Sequence, residues 1–194
     1  MSTWKPDEAQ LITSEEELRS IVEPPVPAIA AKGVPGIDPV SRRFIEAARL
    51  FFVATRGRDG GLDVSPRGDE GRAVIVFDDD KTIAFADRRG NRRVDSLRNL
   101  LLNPEIALLF TVPGASEVLR VRGTGRIVRS APFFAELGDP ALAVVVDVED
   151  LFVHCGRALS RSGTWKPEIW PDRAGLPTGA ELLRSQLDAI GFTG

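Results

Sequence analysis

The stretch EIALLFTVPGASEVLRVRGTGRIV, residues 105–128, predicts two β-strands joined by a turn. Its first part, Glu105–Val112, is almost entirely apolar, as expected of a strand buried on both faces. Pro113-Gly114 is a turn signal. In Val118–Val128, arginine alternates with apolar or small residues. One face of that strand is therefore expected to carry arginine and the other to face a core.

Further short strands are predicted on both sides of this pair. They are expected at Leu50–Thr55, Leu62–Pro66, Ala73–Phe77, Thr82–Ala86, Ala141–Val148 and Leu151–His154. Asp59-Gly60 is a hairpin signal between the first two. Six to eight short strands, mostly in hairpin connection, are typical of a mainly β protein with an antiparallel barrel and peripheral helices. Strands do not alternate regularly with helices, so a doubly wound parallel sheet is not expected.

Helices are predicted around these strands. They are expected from Thr13 or Ser14 to about Val22, at Val40–Ala48, from Arg92 to Asn103-Pro104, at Ala131–Leu137 and at Thr178–Ile190. The segment Glu23–Pro39 is rich in proline and glycine and is expected to be a loop or linker. We therefore expect an extension over residues 1–39, a barrel over 40–172, and a C-terminal helix over 173–194 packed on the barrel.

Composition limits the classes of partner. The chain of 194 residues has a formal net charge of −3, so a general affinity for nucleic acid is not expected. No apolar run approaches the roughly 18 residues that span a membrane. The single cysteine excludes an internal disulfide and fits a reducing compartment. Met1–Gln10 contains no apolar signal run, so a cytoplasmic location is expected.

The segment DRRGNRRVDSLR, residues 87–98, has the composition of an anion site. It leaves a predicted strand and enters a predicted helix, whose first N–H groups favour phosphate. Arg92 and Arg93 can both donate to phosphate oxygens, Ser96 adds a hydroxyl, and Asn91 can act as a cap. The alternative is a solvated basic turn that pairs with Asp87 and Asp95.

Two other segments carry polar groups at strand ends. VSPRGD, residues 64–69, places Ser65 and Arg67 beside Gly68, which suits either ligand contact or a plain turn. FVHCGRALSRSGTW, residues 152–165, contains the only histidine and the only cysteine.

His154 and Cys155 are too few for a metal site, so none is expected. As neighbours in a strand they are expected to face opposite ways, one buried and one exposed. Arg157, Arg161 and Trp165 are spaced to share a helical face.

No catalytic residue can be named from the sequence. The chain has no tyrosine and one histidine, which leaves little scope for acid–base catalysis by these side chains. No Walker A motif, GxGxxG motif or GxSxG elbow is present. If the protein is an enzyme, a cofactor is expected to supply the chemistry.

Over about residues 40–172 the chain resembles the pyridoxamine 5′-phosphate oxidase-like FMN-binding split-barrel superfamily. The resemblance rests on DVSPRGD at 63–69, GNRRVDSLRN at 90–99, ALLF at 107–110 and HCGRALSRSGTW at 154–165. These motifs together are similar to a bacterial subgroup of FMN-dependent enzymes whose substrate is not settled. The C-terminal substrate-binding pattern of the true pyridoxamine phosphate oxidases is absent, so pyridoxal-forming activity is not expected.

The resemblance implies an antiparallel split β-barrel that forms a homodimer, with FMN sites at the subunit interface and a small-molecule substrate. It implies that the cofactor contacts are Ser65, Arg67, Gly68, Asp87, Arg88, Asn91, Arg92, Arg93, Ser96, Arg161 and Trp165. Arg161 and Trp165 would reach the flavin from the partner subunit. Two alternatives to an FMN-dependent oxidoreductase remain open: a flavin carrier or sensor, and a barrel that binds a deazaflavin or haem, with His154 as the haem ligand to test.

Overall fold

The computed structural model describes residues 5, 7 and 10–193. Seven of the ten residues of Met1–Gln10, on which the expectation about a signal sequence rests, lie outside the described residues. No helix in the described part of the chain is both long and apolar enough to cross a membrane.

Seven β-strands form one antiparallel sheet in the part of the chain that the structure describes. They are β1 (Leu50–Arg56), β2 (Leu62–Gly68), β3 (Ile75–Val76), β4 (Thr82–Asp87), β5 (Glu105–Thr111), β6 (Glu117–Val128) and β7 (Leu142–Cys155). Their order in the sheet is β2-β1-β5-β6-β7-β4-β3, and every neighbouring pair is antiparallel. The edge strands β2 and β3 are not paired with each other, so the sheet is not closed.

Helices lie at the periphery of the sheet. They are α1 (Glu15–Ile21), α2 (Pro27–Ala30), α3 (Pro39–Ala47), α4 (Asp95–Leu102), α5 (Arg157–Arg161) and α6 (Gly179–Ala189), with a 3-10 helix at Pro132–Leu137. The mainly β fold class with peripheral helices is therefore confirmed. No residue of α6 is buried. The division at residues 39 and 172, and the packing of the last helix on the barrel, stay predictions.

The curvature of the sheet is visible in three phenylalanine rings. Phe51 on β1 is 1% exposed, and its ring centroid lies 5.2 Å from that of Phe85 on β4 and 5.2 Å from that of Phe110 on β5. Three strands separate β1 from β4 in the sheet. The sheet therefore curls around its own core until its two ends face each other without hydrogen bonding.

The longest strand, β7, shows that one prediction was wrong. Ala141–Val148 and Leu151–His154 were expected as two strands, but they are parts of β7. The pairing of β6 with β7 shifts register between Arg122 and Gly123, which leaves Glu149 as the extra residue of a β-bulge. The bulge accommodates Glu149 of the acidic pair Glu149-Asp150, so the strand continues through the two residues that separated the predicted strands.

The predicted strand Ala73–Phe77 is paired only over Ile75–Val76, so its predicted length was wrong. Ala73 before this short strand lines the pocket described below, and Phe77 after it begins the turn to β4, where its N–H donates to the carbonyl of Thr82 over 2.9 Å.

The proline- and glycine-rich segment after α1 is tied to the sheet at two points. Val34 exchanges backbone hydrogen bonds of 2.8 and 3.0 Å with Leu151, and Ile37 donates one of 2.7 Å to the carbonyl of Asp80. Ile37 itself is buried. The segment is therefore held by backbone hydrogen bonds to β7 and to the turn between β3 and β4.

Candidate functional site

A pocket of about 600 Å³ lies where the sheet fails to close. One wall is β2, and the other is the loop that runs from the end of β4 to the start of α4. Nine of the eleven predicted cofactor contacts line it: Ser65, Arg67, Gly68, Asp87, Arg88, Asn91, Arg92, Arg93 and Ser96. Two segments separated by about twenty residues of sequence thus meet in one cavity of ligand size.

The N-terminus of α4 opens into this pocket without a side-chain cap. Val94 is the N-cap residue and makes no capping hydrogen bond. The N–H groups of Asp95, Ser96 and Leu97 therefore have no partner within the helix. Asn91 caps the preceding turn instead, since its Oδ1 accepts a hydrogen bond of 3.0 Å from the N–H of Arg93. Uncapped N–H groups and the helix dipole favour an anion here.

Ser96 is the buried polar residue of the pocket wall. It is 6% exposed, and its hydroxyl has no hydrogen-bond partner among the described residues. Across all the described residues, every fully buried side-chain oxygen or nitrogen atom has a hydrogen-bond partner. The hydroxyl is therefore not fully enclosed, and since Ser96 lines the pocket, a ligand or solvent there can satisfy it.

The two arginines just before α4, Arg92 and Arg93, differ in whether their side chains have partners within the protein. The Nε of Arg93 lies 2.8 Å from Oδ2 of Asp95. The hydrogen bond that Arg93 donates to the Asp95 carboxylate raises the pKa of Arg93 above its ordinary value, and the charges of Asp95 and Asp63 add to this effect. Arg92 is exposed and has no hydrogen bond or ion pair from its side chain among the residues that the structure describes. Arg92 is therefore an unpaired cation in the same pocket lining as Ser96.

Backbone strain is concentrated in the same loop. Arg92 and Val94 both have positive φ, at 64° and 53°. For a β-branched residue such as Val94, this conformation is a true outlier that costs free energy. Strained residues of this kind cluster at ligand sites, where the surrounding structure holds them.

At the β4 end of the pocket, arginine spans the gap between the sheet's two ends. The Nε of Arg88, just after β4, lies 2.7 Å from Oδ2 of Asp69, just after β2. Its Nη2 donates a hydrogen bond of 2.7 Å to the carbonyl of Leu137. Asp87 has no side-chain partner within the described chain, so of the two carboxylates in the alternative of a solvated basic turn, only Asp95 pairs with an arginine.

Arg67 lies on β2 opposite Phe51 in the strand register. Its guanidinium donates to the Ser65 hydroxyl and, over 2.9 Å, to the carbonyl of Pro66. Both acceptors are uncharged, so the positive charge of Arg67 is not neutralised within its own contacts.

A buried polar network separates this pocket from a second one. Asn99 on α4 is 8% exposed and donates hydrogen bonds of 3.1 Å to Thr55 Oγ1 and 2.6 Å to Asp63 Oδ2. The second pocket, also about 600 Å³, lies between α4 and the β1–β2 turn and shares Asp63 and Asp95 with the first. Asn99 thereby fixes the start of β2 against α4.

The C-terminal candidates do not reach the pocket of their own chain. Arg161 is exposed, and the half-buried Trp165 donates its indole N–H to the carbonyl of Ala115 over 3.2 Å. The prediction that Arg157, Arg161 and Trp165 share a helical face was wrong. The helix ends at Arg161, and Gly163 turns the chain with φ 64°.

The predicted burial of either His154 or Cys155 was also wrong. One was expected to be buried, but both are exposed. The reason is that β7 runs beyond the last residue paired with β4, so its end lies at an edge of the sheet. Neither residue lines a pocket described above. The described residues hold no group of three or more His, Cys, Asp or Glu placed to bind a metal ion.

Sequence reasoning missed several residues of the pocket. Arg89 lines it and, within the described chain, has no side-chain partner. Phe51, Ala73 and Ala86, all buried, form an apolar floor. Arg89 lies inside the basic segment and could have been named from it. The floor residues come from β1, from the segment before β3 and from β4, and no local pattern in the sequence brings them together.

Comparison with known proteins gives one family and several similar folds. The family model described as pyridoxamine 5′-phosphate oxidase matches residues 37–152, more than half of the chain. Among solved structures, HupZ of Group A Streptococcus is 22% identical, with a TM-score of 0.48, over 60% of this chain and 93% of that one.

Two other solved structures are similar. An F420 reductase is 20% identical, with a TM-score of 0.45, over 57% of this chain and 94% of that one. A Clostridium acetobutylicum protein related to general stress protein 26 is 17% identical, with a TM-score of 0.42, over 60% and 86%. No match was found among curated proteins.

Proposed function

The chain belongs to the pyridoxamine 5′-phosphate oxidase family, and from that premise we propose that it binds FMN and acts as a flavin-dependent oxidoreductase on a small molecule. The family typically binds a flavin and includes oxidoreductases. FMN differs from riboflavin by a terminal phosphate. The proposal therefore depends on whether the pocket has a place for a phosphate.

The observation that carries the proposal is the unpartnered hydroxyl of Ser96 at an uncapped helix N-terminus. Ser96 is buried and lines the pocket at the uncapped start of α4, and the unpaired Arg92 lines the same pocket. Helix N–H groups, a hydroxyl and a guanidinium together are the donors that a phosphate monoester requires. These residues therefore fit the phosphate of FMN.

The remaining residues have distinct proposed roles. Arg93 adds positive charge near the phosphate while remaining paired with Asp95. Ser65 and Arg67 on β2 would contact the flavin, and Arg67 supplies positive charge where negative charge develops on the ring. When bound, the isoalloxazine ring supplies hydride chemistry, and the protein supplies binding and orientation.

We propose that the cofactor site is completed in a homodimer. The outward side chains of β2 are exposed and apolar, with Leu62 at 78% and Val64 at 68% exposed. Trp165 and Arg161 lie outside the pocket of their own chain, so they would act on the partner's pocket. Exposed apolar groups on a sheet edge favour association with a second subunit.

The visible spectrum of the purified protein, before and after addition of FMN, tests the cofactor. Bound flavin gives two bands in the visible and near-ultraviolet, and a Soret band would indicate haem instead. A protein that stays colourless and does not retain added FMN would refute the proposal. Oxidation of NADH or NADPH by the yellow protein would distinguish an oxidoreductase from a flavin carrier or sensor.

A further inference from the structure

The pocket has two chemically different ends, marked by the two ends of β2. Asn99 of α4 holds Asp63 at the start of β2, and Arg88 of the β4 end holds Asp69 just after it. Asp69 lies six positions after Asp63, which corresponds to about 20 Å of extended strand. The proposed phosphate position lies at the α4 end, so the β4 end is available to another group.

Positive charge at the β4 end exceeds what the protein neutralises. Arg88 and Asp69 cancel each other as an ion pair. Arg67 has only uncharged acceptors, and Arg89 has no side-chain partner in the described part of the chain. Asp87 is the one remaining carboxylate of this end of the pocket lining, which leaves one positive charge in excess. Arg89 lies three residues before Arg92 in the chain, so the effect of an Arg89 substitution on FMN affinity is part of the test below.

Arg89 is the group best placed to bind a ligand here. Arg88 is engaged by Asp69 and the Leu137 carbonyl, and Arg67 by Ser65 and Pro66. The guanidinium of Arg89 therefore keeps all its donors for a ligand. The same pocket has an apolar part of its lining, formed by the buried residues Phe51, Ala73 and Ala86. An unpaired arginine and an apolar lining in one pocket suit a carboxylate joined to an apolar body.

We propose that the substrate of this pocket is a small organic acid whose carboxylate is bound by Arg89. This inference rests on the proposed binding of FMN, because it assigns to the cofactor the opposite end of the same pocket. Arg89 is then a substrate-binding residue, distinct from Arg92, which serves the cofactor phosphate.

Benzoate and benzamide are a matched pair of probes, since they differ in charge and share the ring. Each is titrated into the FMN-loaded protein, and binding is followed by the perturbation of the flavin absorption spectrum. We expect benzoate to bind about tenfold more tightly than benzamide, because only benzoate can form charge-assisted hydrogen bonds with Arg89. R89Q should abolish this difference and leave the FMN affinity unchanged.

R43Q is the control variant. Arg43 on α3 is likewise exposed and, among the described residues, has no side-chain partner, but it does not line the pocket. R43Q should bind both probes as the unmodified protein does.

The outcomes separate this inference from the proposed function. Equal binding of the two probes, failure of both to bind, or a preference for benzoate that survives in R89Q would overturn the inference while leaving FMN binding intact. Loss of FMN in R89Q would assign Arg89 to the cofactor and also overturn it. A colourless protein that does not take up FMN would reject the proposed function and this inference with it.

Discussion

Arg88 and Asp69 form an ion pair between the two ends of the sheet that hydrogen bonding does not join, with Nε of Arg88 2.7 Å from Oδ2 of Asp69. The side chains are 41% and 29% exposed, so solvent screens the pair only in part. Arg88 also donates to the Leu137 carbonyl. One side chain thus connects the end of β2, the end of β4 and the 3-10 helix at Pro132–Leu137.

We expect R88Q to lower the free energy of unfolding by about 1–2 kcal/mol and D69N by about 0.5–1 kcal/mol. R88Q has the larger effect because it also removes the hydrogen bond to Leu137. Urea unfolding measures both values. R72Q is the matched control, since the Arg72–Glu136 pair is more exposed, at 49% and 56%. A cost for R88Q no larger than that for R72Q would contradict the role given to Arg88.

The glycines of β6 should respond very differently to alanine. A Cβ at Gly123 would lie 2.0 Å from the backbone oxygen of Asp147, whereas one at Gly125 would first meet the flexible side chain of Leu100 at 3.0 Å. We expect G123A to cost about 3 kcal/mol or more, or to prevent folding, and G125A to cost about 1 kcal/mol. Soluble yield and urea unfolding measure the effect. Similar costs for the two variants would show that the β-bulge does not need Gly123.

Relief of backbone strain should stabilise the loop before α4. Glycine adopts the positive φ of Val94 without the steric cost that valine has, and Val94 is 45% exposed, so little packing is lost. We expect V94G to raise the free energy of unfolding by about 0.5–1 kcal/mol. V64G, at an exposed strand position, should lower it by about 1 kcal/mol. If both variants destabilise the protein equally, the strain at Val94 is not real.

Acid sensitivity should depend on the cap of α3. The pKa of Asp38 is lowered below its ordinary value of 3.8, chiefly by the hydrogen bond from the Ser41 hydroxyl and then by that from the Ser41 N–H. A lowered folded-state pKa contributes stability that is present above the unfolded pKa and is lost as pH falls through the folded value. The loss therefore occurs below about pH 3.8.

D38S tests this contribution because serine still caps a helix but does not titrate. We expect the difference in unfolding free energy between pH 6 and pH 3 to be smaller in D38S than in the unmodified protein. D78S is the control, because Asp78 is an exposed carboxylate in the turn after β3. The difference in unfolding free energy between pH 6 and pH 3 should be larger in D78S than in D38S. An equal effect of the two substitutions would refute the contribution of Asp38.

Much of the fold follows from local pattern. The alternation in β6 places Arg120, Arg122 and Arg126 outward and Val121, Gly123 and Gly125 inward, as expected. Ser14 caps α1 by accepting from the N–H of Glu17, and Thr178 caps α6 in a full capping box. These features depend on residues close together in the sequence, so they can be predicted from it.

The features that local pattern could not give depend on distant partners. Arg88 has the carboxylates of Asp87 and Asp95 close by in the chain, yet it pairs with Asp69, because the curled sheet brings the ends of β2 and β4 together. Nothing in the sequence marks Val94 for a positive φ, since valine disfavours it. The residue types of the pocket could be predicted, but the division of its arginines into paired and free ones could not.

The most direct test of the account is the affinity for FMN and for riboflavin, measured by fluorescence quenching in the unmodified protein and in three variants. We expect R92Q and S96A each to weaken FMN binding by about tenfold and to leave riboflavin binding within about twofold, because only FMN has the phosphate. R93Q should cost less than R92Q, since Arg93 is already paired with Asp95. Equal losses for FMN and riboflavin in R92Q and S96A would contradict a phosphate site at the start of α4.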